Sequence, residues 1–263
     1  MTNAVARFTG LAELYDRVRP KPPVELTDVI RQWARVDRPS VVDLGAGTGL
    51  SAELWSGRAA SVHAIEPAPD MRARAVSRLG ALPDAELFTV LDATAERTGL
   101  PDSQADVVTA SQALHWFDPA TTFPEIVRVL RPGGVFAAID CVWQPCIHPE
   151  VDAAYRDLFS RLDEAETDRA VRPAYFDKDT HTTRLRESGL FRFVSEISLH
   201  KRDQGDATRL VDIALSQGGV RPLLALGVSE KKLGIARLRE VATRHIATGA
   251  PWWWTYEVRL AVV

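Results

Sequence analysis

The chain has 263 residues, 46% apolar and 25% charged, which are ordinary globular values that exclude a disordered, collagenous or coiled-coil chain. Its formal net charge of −3 gives no electrostatic reason to expect a nucleic-acid partner, because counterion release needs a basic face. No apolar run approaches the roughly 20 residues of a membrane-spanning helix, and MTNAVARFTG lacks the apolar stretch of a signal peptide. The reading is a cytoplasmic protein, monomer or homodimer, that acts on a small molecule and meets neither membrane nor nucleic acid.

In chain order, residues 41–44 (VVDL), 61–66 (SVHAIE), 86–91 (ELFTVL), 105–110 (ADVVTA) and 134–141 (GVFAAIDC) are short apolar segments bounded by turn residues. Each reads as a strand buried on both faces. Helical spacing fills the gaps over 49–56, 69–79 and 119–130, the last stopped by RPGG. This alternation predicts right-handed βαβ units and a doubly wound, mostly parallel α/β sheet.

Past Cys141 the rhythm changes. A charged helical segment is followed by a helix near 180–188 that stops at Gly189, a strand over about 191–202, and a helical stretch from Asp206 to about His245. A closing strand over about 252–262 places Trp254, Tyr256, Val258, Leu260 and Val262 in one phase of a two-residue alternation. The aromatics of PWWWTYE read as packing within that strand. With no internal repeat and no Gly/Ser linker, the extra helices (about 145–175 and 206–247) are expected to form a lid on the main domain. Cys141 and Cys146 lack C-x-x-C or zinc spacing and read as structural.

VVDLGAGTGL places three glycines, Gly45, Gly47 and Gly49, directly after the first strand. Glycines there permit positive φ and let a ligand approach backbone amides without meeting a Cβ. The dinucleotide pattern G-x-G-x-x-G needs glycine where Leu50 stands, and a phosphate loop needs a lysine that is absent. Asp43, two positions before Gly45, suits a ligand bearing an ammonium group.

Glu66 ends the second strand, where this architecture presents an acid to ribose hydroxyls. Asp92 and Ala93 end the third, where a carboxylate accepts from an exocyclic adenine amine and a small side chain leaves room for the ring. S-adenosylmethionine, with an ammonium, a carboxylate, a sulfonium, a ribose and no phosphate, meets these demands together.

VVDLGAGTG, AIEP, LDATAERTGLPD, ADVVTASQALHWFD and RVLRPGG, in this order, resemble the successive motifs of class I S-adenosylmethionine-dependent methyltransferases. SQALHWFD is similar to the trans-aconitate methyltransferase-like group of small-molecule enzymes, and FTGLAELYDRVRPKPP resembles their cofactor-covering N-terminal segment. The resemblance covers about residues 8–141. It implies a seven-stranded Rossmann-like methyltransferase sheet with helical lid insertions, divided into a covering segment (1–30), a cofactor-binding core (31–141) and a remainder (142–263) carrying the last strands and the lid. It further implies S-adenosyl-L-methionine as cofactor, released as S-adenosyl-L-homocysteine, and transfer to an O or N atom of a small molecule, a carboxylate among the candidates.

Carried over residue by residue, the resemblance makes Gly45, Ala46 and Gly47 the methionine-side loop and Glu66 the ribose acid, with Pro67 and Met71 bordering the adenine. Asp92 and Ala93 meet the adenine edge, Ser111 and Gln112 lie beside the sulfonium, and Tyr15 and Arg19 close over the methionine carboxylate. Members of the same fold that act as cyclases, and a non-catalytic binding module, are the competing readings. No N/D-P-P-Y/F motif of amino-group methylation on nucleic acid follows the fourth strand.

His115 is the histidine nearest the expected reaction centre, a candidate general base and equally a packed side chain. Trp116 is expected to wall the pocket. A carboxylate acceptor needs no base but needs a cation, for which Arg169, Arg172, Arg184, Lys201, Arg202 and Arg221 are the candidates. His63, His148, His181, His200 and His245 show no paired ligand spacing, so no catalytic metal is expected.

Overall fold

The computed structural model describes residues 12–169 and 175–263; the side chains of residues 12, 14 and 15 lie outside that description. Seven strands form one sheet in the order β3-β2-β1-β4-β5-β7-β6. They are β1 (Ser40–Leu44), β2 (Ser61–Ile65), β3 (Phe88–Leu91), β4 (Ala105–Ser111), β5 (Leu130–Cys141), β6 (Phe193–Gly205) and β7 (Ala250–Val262). The first five pair in parallel, while β7 runs antiparallel to both β5 and β6. This is the doubly wound sheet that the alternation of elements predicts.

Apolar runs make these strands because both faces are covered. Val41, Val62, Val107 and Val135 pack into one buried cluster, and their neighbours Val42, Ile65, Val108 and Phe136 into another across the sheet. The first cluster takes in α2 (Glu25–Ala34) and Leu79 of α3 (Pro69–Leu79), together with α5 (Pro149–Asp168), α7 (Ala207–Leu215), α8 (Val220–Ala225) and α9 (Ile235–Ile246). The second takes in α4 (Pro119–Val129) and Leu185 of α6 (His181–Glu187). Trp252, Trp254 and Tyr256 are fully buried in β7 while Trp253 faces solvent, the alternation expected of PWWWTYE. Each buried ring removes on the order of 150–250 Å² from water.

Several boundaries differ from the sequence reading. Residues 49–56 form only a short 3₁₀ turn (Ala52–Trp55), because Gly49 is left-handed and the Ser51 hydroxyl donates to Asp43. RPGG lies inside β5: Ala105 pairs with Leu130 and Val107 with Val135, so two residues along β4 face five along β5 and the excess loops out. Residues 206–245 divide into α7, α8 and α9, interrupted by Gly219, Gly227 and Gly234. β6 and β7 pair over thirteen residues from Phe193↔Val262 to Gly205↔Ala250, longer than expected, since each supplies the other's backbone partners.

The sheet order reverses between β1 and β4. A crevice opens there beyond the carboxyl ends of the strands, the position at which open α/β sheets hold ligands. Among the described residues, no helix is long and apolar enough to cross a membrane.

Candidate active site

The crevice holds an open cleft of about 1050 Å³. Its floor is the glycine loop, with Gly45 at φ +64° and Gly47 at φ +58°. A Cβ on Gly45 would stand 2.8 Å from the Ala113 Cβ and 3.1 Å from the Phe117 ring, so only glycine lets the two loops meet. A Cβ on Gly47 would meet nothing within 4 Å; that position faces the open cleft. Both thus present bare backbone, one to a neighbouring loop and the other to a ligand.

Glu66 fixes the loop from the side. Its Oε2 accepts from the Gly47 N–H at 2.8 Å and its Oε1 from the Ala68 N–H at 2.8 Å. Burial raises its pKa, against the pull of these two amides. A carboxylate has about four lone-pair sites, so each oxygen retains capacity to accept from a ligand hydroxyl. From behind, Arg78 donates to the Thr48 carbonyl at 3.1 Å and to Glu53 at 2.6 Å, and pairs with Asp16 of α1 (Ala12–Val18).

Arg19 lines the cleft opposite. It donates to the Ser216 carbonyl at 2.8 Å and the Ser216 hydroxyl at 3.1 Å, and its guanidinium stacks 4.3 Å above the Trp143 ring. The chain before α2 is thereby clamped to the end of α7, nearly two hundred residues away.

Of the residues anticipated from sequence, Arg19, Gly45, Ala46, Gly47, Glu66, Pro67, Met71, Ser111, Gln112 and Trp116 line the cleft. Asp43 does not. Its carboxylate is fully buried beneath the loop, where Oδ2 accepts from Ser51 at 2.6 Å and Oδ1 from Thr109 at 2.7 Å, and burial pushes its pKa up to about 6. Asp43 braces β1, β4 and the loop and is not placed to meet an ammonium. Asp92 and Ala93 are also absent from the wall: Asp92 pairs with Arg72 at 2.9 Å with its side chain 70% exposed, and Ala93 packs into the core. The Tyr15 side chain lies outside the described residues.

His115 is not on the wall either. Half-buried, it joins the buried Asp140 and His181 in one cluster, because the fold brings α6 against the end of β5. Asp140 pairs through Oδ1 with Lys178 Nζ at 3.0 Å and through Oδ2 with Arg259 at 3.1 Å, and His181 Nε2 lies 3.5 Å from Oδ2. Burial, reinforced by Lys178, takes His115 down to about 3, and burial takes His181 to about 4, so both rings are neutral at physiological pH. Burial alone would raise Asp140, but Lys178 and the imidazoles hold it below the ordinary carboxylate value.

The three ligand-type side chains lie close enough to suggest a metal, and their chemistry argues otherwise. Arg184 donates to His181 Nδ1, which leaves the proton on Nε2, facing Asp140. Both Asp140 oxygens are already engaged by full cations. A divalent ion would have to displace an ammonium and a guanidinium.

Sequence reasoning missed part of the wall. Cys141, Trp143 and Tyr256 line it without any expectation from sequence. Tyr256 shares the alternation phase of the buried β7 residues, so no sequence signal separates a cleft-lining aromatic from a core one. Of the six candidate cations, none of the five in described positions lines the cleft, and Arg172 is outside the described residues.

The sheet order and the cleft are those of the Rossmann-like methyltransferase fold. Residues 42–138 match the family described as a methyltransferase domain. An uncharacterized methyltransferase of Mycobacterium tuberculosis is 42% identical over 128 residues, 48% of this chain and 49% of that protein. A dimethylglycine N-methyltransferase of Parasynechococcus marenigrum is 30% identical over 190 residues, 63% of this chain and 66% of that protein. The matched part thus spans about half the length of the first of these relatives. Among solved structures, a protein described as a type II methyltransferase from Anaeromyxobacter dehalogenans superposes with a TM-score of 0.67 at 25% identity, covering 93% of this chain and 97% of that one. A Haemonchus contortus N-methyltransferase solved with phosphomonomethylethanolamine and S-adenosylhomocysteine shares the fold at 16% identity and TM-score 0.55, covering 97% of this chain and 57% of that one.

Proposed function

We propose that this protein binds S-adenosylmethionine in the cleft and transfers its methyl group to an O or N atom of a small molecule. The observation that carries the reading is the Glu66 bracket: a buried carboxylate held by Gly47 and Ala68 amides beside a left-handed loop whose Gly47 faces open space. These groups fit the cofactor. Glu66 accepts from the ribose hydroxyls, the Gly45–Gly47 backbone faces the methionine part, Pro67 and Met71 border the adenine, and Arg19 holds the carboxylate.

When bound, S-adenosylmethionine supplies a methyl group on a sulfonium whose departure leaves a neutral thioether. The chain's own contribution is alignment and exclusion of water, which suffices when the nucleophile carries a free lone pair. Trp116, Phe117, Trp143 and Tyr256 provide apolar walls. A neutral, half-buried His115 serves packing and not proton abstraction.

Calorimetric titration of S-adenosylhomocysteine tests the first half. Glu66→Gln should weaken binding by about 1–3 kcal/mol through lost charged hydrogen bonds. Unchanged affinity would remove the ribose assignment. Incubation with methyl-labelled cofactor and small-molecule extracts tests the second half, and no labelled product from any acceptor would count against methyl transfer.

A further inference from the structure

We propose that Lys178 forms an anion subsite at the edge of the cleft and that the acceptor carries a carboxylate held there. The inference rests on the cofactor reading, which assigns the Glu66 side to S-adenosylmethionine and leaves the Trp116 side for the acceptor.

Lys178 lies far in sequence from every glycine-loop motif. Residues 175–178 run along the Trp116 wall: the Phe176 N–H donates to the His115 carbonyl at 2.8 Å, and the Tyr175 ring stands 6.0 Å from the Trp116 ring. That path delivers the Lys178 ammonium to Gln112 Oε1 at 2.6 Å and Asp140 Oδ1 at 3.0 Å. Gln112 is part of the cleft wall. The Lys178 side chain is 28% exposed, neither sealed in the core nor free on the surface.

An ammonium has three N–H donors. One is committed to Gln112, Asp140 Oδ1 stands beside it as an ion-pair partner, and among the described residues no further acceptor meets it. Asp140 divides itself between Lys178 and Arg259. Glu196 and Glu257 contact Arg259, not Lys178. Arg184 adds a second cation against His181, with Asp177 on its far side and its Nη1 buried without a hydrogen-bond partner. His115 and His181, the other groups on this side, are neutral. The spare N–H donors of Lys178 call for an acceptor. One ammonium with donors to spare matches a singly charged carboxylate better than a phosphate dianion, which the neighbouring carboxylates would repel more strongly, and the adjoining Trp116 and Phe117 rings suit a planar or apolar body attached to it.

The test uses three matched pairs of probes, benzoate, 3-phenylpropionate and hexanoate, each against its primary amide. They are titrated calorimetrically into the protein with and without S-adenosylhomocysteine. The wild type should bind at least one acid about tenfold or more tightly than its amide. Lys178→Met should bring that ratio near one while leaving S-adenosylhomocysteine affinity unchanged, and Lys178→Arg should restore part of it. Wild-type acids that bind no better than their amides, or a preference that survives Lys178→Met, would overturn the subsite. Because the ammonium is in place without cofactor, the preference is read in the apo protein too. Failure of S-adenosylhomocysteine to bind therefore overturns the cofactor reading alone. If Lys178→Met does not fold, the wild-type ratio and Lys178→Arg decide.

Discussion

The two halves of the sheet build their sites from different material. Around β1, β2 and the glycine loop, recognition comes from backbone: left-handed residues, exposed amides, and one carboxylate that braces them through bonds to Gly47 and Ala68. Around β5, β6 and β7 it comes from side chains gathered over long sequence distances. Asp140 meets Arg259 at 119 residues' separation, Gln112 meets Lys178 at 66, and Ser216 meets Arg19 at 197. Backbone geometry is written into local sequence, because glycine is required wherever φ turns positive. A side-chain cluster is written only into the register that assembles it.

This contrast can be broken at defined points. The largest effect should come from the C-terminal half: Arg259→Met leaves buried Asp140 with one fewer cation and strips Glu196 and Glu257 of their shared partner. Loss of one member of a buried ion cluster should cost about 3–5 kcal/mol, read by urea denaturation. In the N-terminal half, Gly45→Ala forces a Cβ to 2.8 Å from Ala113 at a left-handed φ. It should cost about 2–4 kcal/mol from overpacking and strain combined, and weaken cofactor binding as the loop shifts.

Asp43→Asn should do the reverse. Its folded pKa of about 6 lies above the ordinary aspartate value of 3.8, so wild-type stability falls as pH rises through about 6. The variant should therefore gain up to about 3 kcal/mol at pH 8 relative to wild type and little at pH 4, measured by thermal melts across that range. His115 and His181 run opposite: with folded values near 3 and 4, their contribution is full above pH 6.5 and fades as pH falls toward 4. His181→Gln should flatten that acid limb. The smallest effect is Asp212→Ala, which removes a surface pair with Arg17 and should cost under about 1 kcal/mol.

Most of the glycine-loop side of the cleft was legible in the sequence. GAGTG named its own conformation, Glu66 followed from its strand end, and Met71 from the family resemblance. Asp43 and Asp92 were misplaced although their positions at strand ends were right, because a strand end fixes where a residue lies and not which partner claims its carboxylate. Ser51 and Thr109 claim the first, Arg72 the second. On the other side, Lys178 escaped a search that considered six other cations, since nothing local marks the lysine whose loop is pinned along Trp116.

The sequence by itself determined the doubly wound sheet, the left-handed loop and the acid beside it, since hydrophobic period and glycine placement act over a few residues. The tertiary structure alone decided the antiparallel insertion of β7 between β5 and β6, and with it the convergence of Asp140, Arg259, His181 and Lys178. The physical reason is that buried charges select partners by distance in space, and pairing two thirteen-residue strands sets those distances for residues that are remote along the chain.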